Sequence, residues 1–249
     1  MSYEDCSNIL KFYSRRYPML RSVLAEITTV FNSYTEEDTE IELRLGTIIG
    51  GRFVNGVSPQ FLYQAEILLD QYNGWSPGET RWLQSVDYFF TDGGNRFRTR
   101  VDFMDSVETP ATIQKKVVRR IDMLVLDDVA APVAVDLAPG AVRLQVSREI
   151  SADLISCVSV AVDLVRIKQT RSFRYGELWR YDLSKVWVGK TFNEADRLLL
   201  SGAAPSVCEL ELEFTGNLKK NSPCATRNAV SVLLKCLDFF PPGSCFCQI

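Results

Sequence analysis

Glu209-Leu210-Glu211-Leu212-Glu213 and, far earlier in the chain, Glu40-Ile41-Glu42 alternate a carboxylate with an apolar residue. Successive side chains of a β-strand point to opposite faces, so the glutamates of each segment share one face. Like charges at such positions repel and raise each other's pKa unless a cation lies among them. Oxygen ligands suit a hard divalent cation such as Mg²⁺ or Mn²⁺. The two segments therefore form a candidate metal site.

The composition excludes several kinds of active site. The chain has 249 residues and no histidine, which excludes a Ser-His-Asp triad, a Cys-His pair, a phosphohistidine and a His-ligated zinc. The seven cysteines are odd in number and include no CxxC pair, which indicates reduced thiols in an intracellular compartment. We expect neither a signal peptide nor a membrane span. The net charge of −3 predicts that a nucleic-acid substrate would be held at one end rather than along its length.

Apolar periodicity predicts one domain, residues 1–249, of the α+β class and mainly β. Helices are expected at about 17–31, from Ser58-Pro59 to Asn73-Gly74, and at about 222–239. Strands are expected at 39–46, 85–91, 95–103, 111–119, 143–150, 162–173, 178–187 and 207–214. Eight strands are enough for a small closed antiparallel barrel covered by a few helices.

Charged residues of one sign gather on one face of particular strands. Arg96, Arg98 and Arg100 align on one strand, and Glu209, Glu211 and Glu213 on another. The other charged faces are Glu40, Glu42 and Arg44; Arg143, Gln145, Ser147 and Glu149; Arg166 and Lys168; and Arg180, Asp182 and Ser184. Each face alone is typical of a solvated sheet surface. Their segregation by sign favours a barrel lumen with an acidic wall and a basic wall, the apolar faces pointing outward beneath the helices.

The order of these motifs resembles that of the triphosphate tunnel metalloenzymes, most closely the metal-dependent RNA 5′-triphosphatases of fungi, protozoa and some large DNA viruses. The opening strand is similar to Glu40-Ile41-Glu42-Leu43-Arg44-Leu45-Gly46, and the closing strand to Glu209-Leu210-Glu211-Leu212-Glu213. Between them, Arg180-Tyr181-Asp182-Leu183-Ser184-Lys185-Val186 matches an R-x-D-x-[ST]-K-V strand. A lysine-pair strand resembles Ile113-Gln114-Lys115-Lys116-Val117, and Arg143 stands six residues before Glu149. The compact length looks more like a protozoan or viral member than a fungal one.

The resemblance implies hydrolysis of the γ-phosphate from the 5′-triphosphate end of RNA, the first step of mRNA capping. It assigns Mg²⁺ or Mn²⁺ to Glu40, Glu42 and one or more of Glu209, Glu211 and Glu213, and the attacking water to Glu149. Phosphate oxygens would be held by Arg143, Arg166, Lys168, Arg180 and one of Arg96, Arg98 and Arg100, with Asp182 orienting its basic neighbours. Further substrate contacts are expected from Ser184, from Lys115 or Lys116, and from Arg171 if it faces inward.

The implied partners are triphosphate-ended RNA, NTP or inorganic triphosphate in vitro, and an RNA guanylyltransferase. We expect a monomer in the nucleus, or in the viral factory or virion if the protein is viral. Two alternatives stay open. One is another tunnel-family hydrolase, acting on inorganic triphosphate, polyphosphate or thiamine triphosphate. The other is a non-catalytic module that binds triphosphate or RNA ends, against which the glutamates argue because an acidic wall obstructs phosphate binding without a metal.

Overall fold

Ten strands and four helices make up the described part of the protein, a computed structural model covering residues 18–34, 36–76, 81–104, 107–126, 140–152, 161–175, 178–216, 225–237, 239–240 and 245–248. The strands are β1 (Thr39–Ile49), β2 (Arg52–Asn55), β3 (Leu83–Asp92), β4 (Asn95–Met104), β5 (Val107–Leu126), β6 (Ala141–Ser151), β7 (Val162–Tyr175), β8 (Trp179–Gly189), β9 (Val207–Phe214) and β10 (Cys245–Gln248). The helices are α1 (Pro18–Ser33), α2 (Pro59–Asp70), α3 (Phe192–Leu200) and α4 (Ala225–Leu237).

Eight of these strands close into an antiparallel barrel, which confirms the predicted fold. The order around the barrel is β1-β9-β8-β7-β3-β4-β5-β6, and β6 pairs with β1 to complete the ring. All eight predicted strands are present, and seven of them extend beyond the expected range by one to seven residues at an end. β2 extends β1 through a hairpin at Gly50-Gly51, whose positive φ angles of 58° and 74° suit a tight two-residue turn. β10 pairs with β5 outside the ring.

The hydrophobic core lies outside the barrel, between its outer face and the helices. Ile41, Leu43 and Leu45 alternate with the charged residues of β1 and are fully buried. Helix α1 packs Val23, Ile27, Val30 and Phe31 into the same cluster, at the spacing of one helical face. Each such side chain contributes about 1.5–3 kcal/mol by its burial. The polar faces therefore point into the lumen, as the alternation predicts.

Aromatic residues fix α1 on the barrel wall. Phe31 meets Trp179 of β8 and Phe214 of β9 edge-on, with ring centroids 6.3 Å and 5.2 Å away. Trp179, Tyr181 and Leu212 belong to this outer core, which confirms that they point away from the lumen.

The helix ends follow the expected capping chemistry. The Ser58 side chain caps α2 by accepting a hydrogen bond of 3.1 Å from the Phe61 amide. The predicted helix at 17–31 runs from Pro18 to Ser33, and the one at 222–239 from Ala225 to Leu237; residues 17, 222–224 and 238 lie outside the described ranges. None of the described helices is long and apolar enough to cross a membrane.

Helix α3 was not predicted. Its cap is Thr191, whose side chain accepts a hydrogen bond of 3.2 Å from the Glu194 amide. The T-x-x-E spacing is a helix-start signal that could have revealed it. Gly189 lets the first turn of α3 lie close to the end of β8, because a Cβ at this position would be 2.6 Å from the Ala195 amide nitrogen. Ala195 packs α3 against Val165 and Ile167 of β7.

A β-bulge in β5 decides which of its basic residues face the lumen. The register against β6 shifts between Val117 and Arg119. Lys115 pairs with Glu149 before the bulge and Arg120 pairs with Gln145 after it, so both point inward although they are five residues apart. Lys116 points outward.

Candidate functional site

The inner faces of the eight strands line two adjoining chambers. The carboxylate chamber, about 330 Å³, is lined by nine acidic residues: Glu40, Glu42, Asp87, Asp102, Glu149, Asp182, Glu209, Glu211 and Glu213. The basic chamber, about 450 Å³, is lined by Arg44, Arg96, Arg98, Lys115, Arg120 and Arg166, with Glu209 as its one acid among the described residues. The chambers share Arg44, Arg98, Lys115, Arg166 and Glu209, so they form one continuous charged interior.

The two glutamate segments lie on neighbouring strands. β1 and β9 pair so that Glu42 is opposite Glu213 and Arg44 is opposite Glu211. All five glutamates predicted to bind metal line the carboxylate chamber. β4, with its three arginines, is four strands away from β9 in either direction around the barrel. An acidic wall therefore faces a basic wall across the lumen.

The chain's own cations bind the glutamates. Lys115 contacts both Glu40 and Glu42, and Arg44 lies 2.8 Å from Glu42 and 3.2 Å from Glu211. Glu209 accepts from Arg166 at 2.7 Å and lies 3.2 Å from Lys168. Arg180 donates to Glu213 at 2.5 Å and to Asp182 at 2.9 Å.

The local balance of these charges sets the carboxyl pKa values. Burial, together with repulsion from Glu40 and Glu211, raises the pKa of Glu42 despite Arg44 and Lys115. Burial, aided by repulsion from Glu40 and Asp182, raises the pKa of Glu213 to about 8. The expected mutual raising is thus correct for these two residues.

Glu211 behaves in the opposite way. Its burial alone would raise the pKa of the carboxyl, but Arg44, Lys168 and Lys115 hold that pKa well below its ordinary value. Repulsion within the glutamate cluster is overcome at this position because the cations approach it from several strands.

All three arginines of β4 face the lumen. The sequence alone could not show which of the three would contact phosphate. Arg96 lines the basic chamber, Arg98 lines both chambers, and Arg100 lines the carboxylate chamber. Arg100 donates hydrogen bonds of 2.8 Å and 3.3 Å to Asp87 of β3. Burial alone would raise the pKa of Asp87, but the charge and hydrogen bonds of Arg100 outweigh burial, so the pKa is lowered. The buried Nε of Arg98 makes no hydrogen bond, so it is a donor suited to an anion.

Comparisons with solved structures identify this architecture. The structure of Pct1 RNA triphosphatase from S. pombe is 18% identical in sequence and superposes with a TM-score of 0.59 over 89% of this chain and 88% of that chain. Its complex with the Spt5 CTD gives 16% identity and a TM-score of 0.59 over 88% and 87%. The chain has the triphosphate-tunnel fold. The Mimivirus capping enzyme triphosphatase matches at 14% identity and a TM-score of 0.49 over 85% and 96%. No protein-family model and no curated protein sequence matches the chain.

The remaining predicted site residues fall at different depths of the tunnel. Glu149 lines the carboxylate chamber, 3.4 Å from Arg98 and 3.9 Å from Lys115. Arg166, Lys168, Arg180 and Asp182 also line that chamber. Ser184 is fully buried and shares a hydrogen bond of 2.9 Å with Thr170, which places it in the wall beneath the lining residues.

Two of the residues expected to contact substrate lie on the outer face of the barrel. Lys116 faces outward because the alternation of β5 leaves Lys115 inside. Arg171 faces outward and ties β7 to α2 through Glu66 and Asp70, both at 2.7 Å.

Arg143 lies on the inner face of β6, because it pairs directly with Arg44 of β1. It is directed to Asp122 through two hydrogen bonds of 2.6 Å and 2.8 Å, and its guanidinium lies 4.5 Å over the Phe53 ring. These contacts hold its guanidinium outside the lining of the two chambers, so its contact with phosphate stays a prediction.

Four charged lining residues were given no role from the sequence: Arg44, Asp87, Asp102 and Arg120. Arg44 follows Glu42 at strand spacing on the same face, a signal that was available. Asp87 had only a weak signal, a single acid in an otherwise apolar strand. Arg120 had none, because the bulge before it cannot be read from composition.

The donor chemistry of the tunnel fits a hard divalent cation. All five glutamates offer oxygen, and the buried Oε2 of Glu209 takes no hydrogen bond although Lys168 lies 3.2 Å away. In the part of the chain that the structure describes, no three acidic or cysteine side chains are close enough together to hold one ion as they stand. Lys115 and Arg44 bridge the carboxylates instead. A bound metal would therefore take over contacts that these two cations now make.

Proposed function

We propose that the protein hydrolyses the γ-phosphate of triphosphate-ended RNA, the first step of mRNA capping, with Mg²⁺ or Mn²⁺. The observation that carries the proposal is the closed lumen in which glutamates of β1 and β9 face cations of β4, β5 and β7. Phosphoryl transfer depends mainly on positioning and charge neutralisation, which such a lumen can provide. The likeness to Pct1, named as an RNA triphosphatase, supports this reading over other triphosphate chemistry.

Charge balance is the reason to include a metal. Nine Lys or Arg and nine Asp or Glu side chains of the described residues line the two chambers. With all of these groups ionised the lumen has no excess positive charge, and the proton that Glu213 holds at neutral pH leaves too little for a polyanionic triphosphate. Glu40, Glu42, Glu209, Glu211 and Glu213 would hold the ion, which supplies a Lewis acid to the phosphate oxygens when bound.

The chain's own residues then divide the remaining work. Arg166, Lys168 and Arg180 hold phosphate oxygens with charge-assisted hydrogen bonds. Glu149 orients the attacking water and accepts its proton, since no histidine is present to serve as the base. Lys115 and Arg98, the cations nearest Glu149, hold that carboxylate in the lumen.

Phosphate release from four substrates tests the proposal. Triphosphate-ended RNA, ATP, inorganic triphosphate and thiamine triphosphate are compared in Mg²⁺, in Mn²⁺ and in EDTA. Glu42→Gln is compared with Asp163→Asn, which makes the same kind of change at an exposed carboxylate hydrogen-bonded to Thr91. We expect metal-dependent release, fastest from RNA, that Glu42→Gln abolishes and Asp163→Asn does not. Release from none of the substrates, or full activity in EDTA, would disprove the proposal.

A further inference from the structure

The two ends of the tunnel differ in chemistry. At one end, four neighbouring strands, β3, β7, β8 and β9, place apolar side chains on the lining of the basic chamber: Phe89, Leu164, Val188 and Val207. We call these four residues the apolar wall. None of the four is fully buried, and Phe97 and Val117 line the same chamber.

The other end of the same strands is polar. Continuing along the inner faces, β7 presents Thr170 and Ser172, β8 presents Asp182 and Arg180, and β9 presents Glu213. Glu40 and Glu149 lie at that end as well. A polyanion approaching from there would meet carboxylates first.

Cations stand beside the apolar wall. Arg96 is exposed, and its guanidinium lies 4.7 Å from the centre of the Phe89 ring. Arg120 also lines the chamber and donates to Gln145 at 3.3 Å. Aromatic and apolar surface interleaved with arginine is the chemistry that binds a nucleobase with its sugar and phosphate.

A triphosphate without a nucleoside does not account for the apolar wall. It is hydrophilic on every side, so partly exposed apolar side chains next to it would gain nothing on binding. A nucleoside, in contrast, has a planar apolar face, and about 450 Å³ lies within the range of pockets that hold a ligand of that size.

We infer that the basic chamber is a nucleoside subsite, so that the substrate enters by this end with its 5′ base against Phe89 and Arg96 and its γ-phosphate directed to the carboxylate chamber. The inference rests on the proposed function and adds the direction of the substrate and the requirement for a nucleoside. Free NTP and the 5′ end of RNA share the chemistry that this subsite recognises.

Binding of analogues that resist hydrolysis tests the direction. The probes are the β,γ-methylene analogue of ATP, bis-methylene triphosphate without a nucleoside, and a short oligoribonucleotide with the same analogue at its 5′ end. Affinities are measured by calorimetry in Mg²⁺ for wild type, Phe89→Ala and Leu83→Ala. Leu83 is the matched control, an apolar residue of the same strand that lines the opposite chamber.

Phe89→Ala should lower the affinity for the ATP analogue relative to bis-methylene triphosphate by on the order of 10-fold, as loss of a stacking partner does. Leu83→Ala should leave that ratio as in wild type. Tighter binding of the oligoribonucleotide than of the ATP analogue would identify the RNA end as the source of the nucleoside. If Phe89→Ala does not fold, the exposed Arg96→Gln is measured in its place with the same expectation.

An unchanged ratio in Phe89→Ala, or a selective loss in Leu83→Ala, would overturn the inference. The hydrolysis assay separates this result from the proposed function. Nucleoside preference without phosphate release would contradict the hydrolase and leave the subsite standing, whereas phosphate release without nucleoside preference would do the reverse.

Discussion

Lys115 and Lys116 are adjacent in sequence and face opposite sides of the barrel, which makes them a matched pair. Lys115→Ala leaves Glu40 and Glu42 without their shared cation, so it should destabilise the metal-free protein, by less than the about 3–5 kcal/mol typical of a fully buried pair. Mg²⁺ should restore part of the lost stability. Lys116→Ala should change little. Thermal unfolding with and without Mg²⁺ measures both, and equal effects of the two substitutions would contradict the inward position of Lys115.

Glu149 separates catalysis from binding. Glu149→Gln keeps the size of the side chain but cannot accept a proton, so turnover should fall by about 10²-fold or more. Affinity for metal and for triphosphate should change little, because the contacts of Glu149 are with Arg98 and Lys115 and not with the other glutamates. Steady-state kinetics and calorimetry test this. Loss of metal binding in Glu149→Gln would move Glu149 into the metal site.

Two neighbouring glutamates should give opposite responses to pH. The pKa of Glu213 is raised to about 8, so its contribution to stability is full below its ordinary pKa of 4.5, is lost as pH rises, and is gone above about pH 8. Glu213→Gln cannot lose a proton and should become increasingly more stable than wild type as pH rises over that range. The measurement is the melting temperature in EDTA between pH 5 and pH 9.

Glu211 provides the comparison for that experiment. Its pKa is lowered, so its contribution to stability is present above its ordinary pKa of 4.5 and lost as pH falls. Glu211→Gln should therefore be less stable than wild type at neutral pH, and the difference should shrink in acid. The same sign for both variants would contradict the charge assignment of the lumen.

At the scale of a single strand, β7 offers a test of its two faces. Arg171 joins the barrel to α2, so Arg171→Ala should lower the melting temperature without weakening triphosphate binding. Arg166 lines both chambers and contacts Glu209, so Arg166→Ala should raise the KM by about 10-fold or more through loss of a charge-assisted phosphate contact. Equal loss of affinity in both variants would show that strand parity does not separate their roles.

How far the sequence predicts an element depends on how regular that element is. All eight barrel strands were predicted, and the alternation of charged and apolar residues was enough to predict the inward side of Glu40, Arg98 and Arg180. It could not distinguish Lys115 from Lys116, because Lys115 shares its face with Ile113 and Val117 and Lys116 shares its face with Gln114, so neither face is marked as the lumen side by its polarity. It also could not show that Arg143 is paired with Asp122, because Asp122 lies 21 residues away in sequence and meets Arg143 only through strand register.

At the scale of the whole molecule, the balanced lumen predicts coupled binding of metal and triphosphate. Inorganic triphosphate should bind weakly in EDTA, and Mg²⁺ should tighten binding by about 10-fold or more, because each divalent ion gives the lumen an excess of positive charge. By the same coupling, triphosphate should raise the affinity for Mg²⁺ equally. Calorimetric titrations in both orders measure the two effects. Equally tight triphosphate binding in EDTA would contradict the need for a metal.

The position of the core outside the barrel has a consequence for how such a protein can diverge. Close packing restricts mutation where side chains interlock, and here that zone is the outer shell beneath the helices. The inner lining makes ionic contacts across the lumen, so exchanging two paired charges can change the lining while the packing of the shell is kept. The lining can therefore be engineered separately from the shell. Libraries of variants confined to lining positions should yield folded proteins with new anion preferences more often than libraries of equal size in the shell.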